Sequence, residues 1–168
     1  MTGEYASKTD VPVSRSRDEI EKTLNRFGAT AFAYMSSSGG QVAISFEIKG
    51  LRVLMRMQLP LRDQFRLDTR RNVRTDSAIE RDWEQASRQR WRSLANGVKA
   101  KLALIDDGIS SVEREFLADI VLPSTGQTYG EFAIPQLAEV YRTHENPPMI
   151  PGVVNARIIE LGERTGST

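Results

Sequence analysis

The sequence predicts an α+β fold: a three-stranded antiparallel meander packed on an N-terminal helix, followed by a long helix and shorter helices. Three observations carry this expectation. Apolar and polar residues alternate through 41–48 and 51–59, on either side of a tight Lys49-Gly50 turn. A stretch with apolar residues at helical spacing precedes this block. A longer stripe of the same period follows it.

Taken in order, residues 1–14 are polar and read as a flexible arm. Ser16 with Glu19 fits a capping box, and Ile20, Leu24 and Phe27 follow at helical spacing, so a helix is expected over 17–27 with Gly28 as its stop. Strands are expected over 30–36, 41–48 and 51–59, with Ser37 to Gly40 as the first turn. Val42, Ile44, Phe46 and Ile48 share one face with Leu51, Val53, Met55 and Met57. Arg52, Arg56 and Gln58 lie on the other. Pro60 ends the sheet and a basic loop fills 61–76. Ser77 with Glu80 opens a helix over 77–107, striped by Ile79, Trp83, Trp91, Val98 and Leu102, with a possible kink at Asn96-Gly97 and a stop at Gly108. Ser110 with Glu113 starts a short helix. Thr128 with Glu131 starts another, although Pro135 argues that the box is false or that the helix begins near Ile134. A Pro-rich loop over 144–152, a strand or helix over 153–161 and a frayed tail complete the chain.

Several chemistries are excluded. With no cysteine, disulfides and thiolates are absent, which favours a reducing, cytoplasmic compartment. The N-terminal residues hold no apolar core of a secretory signal, and the apolar runs fall far short of the ~20 residues that span a bilayer. His144 is the one histidine, so Cys/His zinc sites are out and no His-rich centre can form. Neither a phosphate-binding glycine loop nor a nucleophile elbow is present. No metal, no organic cofactor and no turnover are expected.

Charge is uneven under a net +1. Residues 51–100 hold 12 basic and 6 acidic side chains, whereas residues 101–168 hold 5 and 10. Arginine dominates the basic set, and its planar fork suits phosphate and carboxylate. Arg52, Arg56, Arg62, Arg66, Arg70, Arg71 and Arg74 are therefore the candidate nucleic-acid contacts, with Tyr34, Phe65 and Trp91 as candidate stacking aromatics. Internal pairing of the basic middle with the acidic end is the alternative. So is an acidic protein partner, with this chain acting as a binder or inhibitor. The long helix over 77–107 could also pair with a second copy.

One enzyme-like pattern stands beside these. Glu47-Ile48-Lys49 is an acid-x-Lys at a strand end, as in restriction-type nucleases, where an upstream carboxylate completes a Mg²⁺ site. Residues 29–46 contain no Asp or Glu, so that partner is missing. The α-β-β-β-α order also matches the double-stranded-RNA-binding fold, without its basic helix start or loop contact.

The runs at 88–94 (RQRWRSL), 98–102 (VKAKL) and 115–123 (EFLADIVLP) resemble a family of small uncharacterised proteins encoded by bacteriophages. The stretches 17–22 (RDEIEK), 26–29 (RFGA), 32–35 (FAYM) and 147–151 (PPMIP) fit the same family. The resemblance covers about residues 15–151, a single α+β domain, and leaves 152–168 as a partly disordered C-terminal extension. It implies a phage gene product acting in the host cytoplasm and carries over no catalytic residue.

Overall fold

The alternation in 41–58 produces the sheet. In the computed structural model, which describes residues 10–144, β1 (Thr30–Ser36), β2 (Gln41–Ile48) and β3 (Leu51–Gln58) form an antiparallel sheet in chain order. Ile48 pairs with Leu51, leaving Lys49 and Gly50 as a two-residue turn. Both have positive φ, 50° and 77°, the type I′ pattern that matches the twist of paired strands.

Val42, Ile44, Phe46, Ile48 and Val53 form the inner face of the sheet. Two helices cover it. From α1 (Val13–Arg26) come Ile20 and Leu24; from α2 (Asp76–Asp106) come Trp91, Ala95, Val98 and Leu102. The short α3 (Val112–Glu115) and the residue after it add Val112 and Phe116, whose ring meets Phe46 edge-on at 5.6 Å. At about 25 cal/mol per Å² of apolar surface, this shared core is the main stabilising term. It also consumes the apolar stripe of α2, so a homodimer through that helix would have to use its charged outer face.

After a single turn of 3₁₀ helix (Leu117–Asp119), Val121 donates its N–H to the Arg52 carbonyl at 2.8 Å, extending the sheet at the edge of β3. Helix α4 (Tyr129–Thr143) follows. Gly130 is its contact point: a Cβ there would lie 2.8 Å from the Ala118 carbonyl oxygen.

Helix boundaries differ from expectation in physically legible ways. α1 starts at Val13 after Pro12, inside the stretch expected as an arm; Ser16 is fully buried mid-helix and caps nothing. The cap of α2 is Thr75, not Ser77, and that of α3 is Ser111, not Ser110. Thr128 and Glu131 do form the expected capping box, and Pro135 sits inside α4 all the same. Asn96-Gly97 does not interrupt α2. Gly28 stops α1 as expected. The Ala29 N–H reaches back to the Leu24 carbonyl and the Gly28 N–H to Asn25, both at 3.0 Å, a Schellman closure that a left-handed residue permits. The expected elements at 145–161 and the tail lie outside the described residues. No helix among the described residues is long and apolar enough to cross a membrane.

Candidate nucleic-acid interface

The segment expected as a basic loop is a folded finger. A 3₁₀ turn (Arg62–Phe65) leads into it. Leu67 and Val73 then bridge antiparallel, and the Arg74 N–H donates to the Arg66 carbonyl at 2.9 Å. Asp68 organises the tip. Its Oδ1 accepts the N–H groups of Arg70 and Asn72, both at 2.8 Å, and its Oδ2 accepts the Asn72 amide at 3.2 Å. Hydrogen bonding from the Asn72 backbone, foremost, holds this carboxyl below its ordinary value. Arg71 takes the left-handed conformation, φ 64°, that closes the turn. The finger therefore carries Arg70 and Arg71 at its tip on a scaffold wired by its own backbone. Leu67 is 51% exposed and Val73 83% exposed along its arms.

The base of the finger is tied to α2. Arg74 pairs with Asp82, whose carboxyl that hydrogen bond holds low. Arg62 pairs with Glu80 at 3.0 Å and approaches Asp76 at 3.8 Å. The Trp83 indole N–H donates to the Pro60 carbonyl at 2.9 Å, pinning the chain as it leaves β3.

The seven candidate arginines thus divide. Arg56 pairs with Glu131, Arg62 with Glu80, Arg66 with Asp63 and Arg74 with Asp82. Arg52, Arg70 and Arg71 have no side-chain partner among the described residues. Arg52 stands on the outer sheet face opposite Glu47, six residues from the end of β3, or roughly 20 Å at 3.3 Å per residue. It is not part of a common patch with the finger. Pairing of the basic middle with the acidic end occurs between Arg56 and Glu131; the other arginines just named pair with acids of their own segment.

Two of the three expected stacking aromatics are engaged in the core. Trp91 is buried. The Tyr34 hydroxyl donates to the Arg17 carbonyl at 2.8 Å, and its ring lies 4.1 Å below the Arg17 guanidinium. Phe65 is half-buried. Among the described residues the most open aromatic is Tyr141 on α4, 81% exposed.

Glu47 and Lys49 lie where the spacing puts them, at the β2 end and in its turn. Glu47 faces Arg52 and Thr30, not a second acid. Among the described residues no group of three or more His, Cys, Asp or Glu could hold a metal ion. His144 is the left-handed C-cap of α4.

No family model, curated protein or solved structure matches the chain.

Proposed function

We propose that this chain is a non-catalytic nucleic-acid-binding protein of phage nucleic-acid metabolism, with the finger at 66–74 as its contact. The observation that supports this is the pair Arg70 and Arg71, unpartnered at the tip of a pre-ordered hairpin. Ordering the contact in advance spares the entropy that a loose basic loop would lose on binding. Arginine also suits phosphate in any sequence.

A salt titration of binding to short DNA and RNA tests the reading. Each neutralised phosphate adds about 0.7–0.9 to the slope of log affinity against log salt. Replacing Arg70 and Arg71 with Ala should flatten the slope by roughly 1.4–1.8. Replacing the paired Arg62 should change it far less. Absence of binding at low salt would refute the proposal.

A second reading has its own observation. Ile134, Leu137 and Tyr141 are exposed at spacing i, i+3, i+7 on α4. Such a stripe favours a protein partner, so a factor that binds or inhibits a host protein is the alternative.

A further inference from the structure

A cleft of about 380 Å³ opens where the β1–β2 turn meets the end of β3. That volume is at the small end of small-molecule sites, roughly 300–1,000 Å³. Its apolar lining includes Met35, Ala43 and Met57. Met35 is 48% exposed, and its thioether is a soft partner for a flat π-system. Gln41, Gln58, Ser36 and Ser37 supply its polar lining. Arg56 is the one cation lining it.

The cleft is pre-shaped. The Gln58 amide nitrogen donates to the Gly39 carbonyl at 2.8 Å and the Leu59 carbonyl at 3.0 Å. Both donors are thereby used, and the Gln58 amide oxygen is fixed in orientation as an acceptor. A Cβ on Gly40 would meet Gln58 Nε2 at 3.0 Å and the Leu59 carbonyl at 3.3 Å, so the turn is pressed against the strand end. Arg56 gives one nitrogen to Glu131 and keeps other N–H groups for an anion.

We propose that this cleft seats one nucleotide unit, with the base lying on the surface made by the paired Met35 and Ala43, its polar edge on Gln41, Gln58 and Ser37, and its phosphate at Arg56. An apolar surface, a mixed donor and acceptor edge and one guanidinium are the three features a nucleotide requires together. Position supports the same ligand. β3 leaves the cleft at Gln58, is pinned at Pro60 and leads directly into the finger. A strand lying along the finger would have a neighbouring unpaired base at the same end of the molecule. The choice of a nucleotide over another small organic anion rests on the nucleic-acid reading above. A free nucleotide and an unstacked residue of a strand share the chemistry, and the test separates them.

The full chain is titrated with each of the four ribonucleoside monophosphates, with ribose 5-phosphate and with inorganic phosphate, followed by amide NMR shifts. Nucleotides should shift Ser36, Gln41, Ala43 and Gln58, and the two base-free anions should do so much less. Ala43→Trp fills the cleft and should abolish those shifts. It should also weaken single-stranded oligonucleotide binding by at least about fivefold, the low end of stacking one base, and lower the salt slope by about 0.7, the share of the one phosphate held at Arg56. Met35→Glu, at an exposed site, should act alike if the tryptophan variant does not fold. Glu131→Gln keeps the cap of α4 but frees Arg56, and should tighten nucleotide binding several-fold. Shifts scattered over the basic surface, or oligonucleotide affinity indifferent to both cleft variants, would overturn the inference and leave the finger reading intact. Nucleotide binding in the cleft without oligonucleotide binding would place a free nucleotide there and remove the finger reading instead.

Discussion

Tyr34 joins several layers of the core through one side chain. It sits on β1, bonds to the α1 backbone and packs edge-on against Phe32 at 4.8 Å and Trp91 at 5.8 Å. Burial, the largest influence, pushes its phenol up to about 12. The folded value is therefore above the unfolded one, about 10. Below pH 10 both states keep the proton and the full stability is present. Between about 10 and about 12 the unfolded chain loses its proton first, so stability falls as pH rises through that window. Tyr34 should ionise late in a tyrosinate absorbance titration, together with loss of tertiary structure. Tyr34→Phe should remove that late step. If all tyrosines ionise together in a folded protein, the buried phenol is misassigned. Alternation along the short β1 did not reveal this role, because a seven-residue edge strand with a bulge after Thr30 does not hold one pattern.

At the scale of elements, helix stops were far more legible than helix starts. Gly28 and Gly108 are read correctly because few residues other than glycine take a left-handed C′ position cheaply. Ser-x-x-Glu is a short pattern, and burial decides among its occurrences: Ser16 faces the core, so its box cannot form. The finger was illegible for another reason. Its order comes from backbone pairing and one aspartate, which leave no periodic trace; Leu67 and Asp68 set against Asn72 and Val73 were the available signal. Two glycine substitutions separate local propensity from packing. Gly97→Ala in α2 has nothing within 4 Å of the new Cβ and should stabilise by about 1 kcal/mol through helix propensity. Gly130→Ala in α4 places its Cβ 2.8 Å from a carbonyl oxygen, and overpacking of about 1–3 kcal/mol should outweigh the same gain. Denaturant midpoints moving in the same direction would show that α4 is not held against Ala118 as described.

For the whole molecule, the α+β order and the sheet's buried face were visible in the sequence, whereas the way charge is shared out was not. The sequence shows how many arginines there are but not which acids lie beside them, and most of the candidate contacts turn out to be engaged within the fold. The core has a similar dependence on distant chain. Trp91, Ala95, Val98 and Leu102 close over the meander from α2. A fragment ending at Thr75 should therefore lack a cooperative unfolding transition, and adding residues through Asp107 should restore one. A fragment that melts cooperatively without α2 would mean that α1 alone seals the sheet.

The placement of α2 also governs what happens while the chain is being made. Helix α1 and the meander leave the ribosome before α2, and the part of the apolar face of Ile44, Phe46 and Val53 that α2 covers stays open to water until the second half of α2 has followed. The finger emerges in the same interval, before Asp82 is there to hold Arg74. For some forty residues of synthesis, at about 5–20 residues per second, the nascent chain has a sheet covered by α1 alone, and for the eight residues from Arg74 to Asp82 a basic hairpin without its anchor. That interval of a few seconds is when a chaperone or the ribosomal RNA surface would meet it.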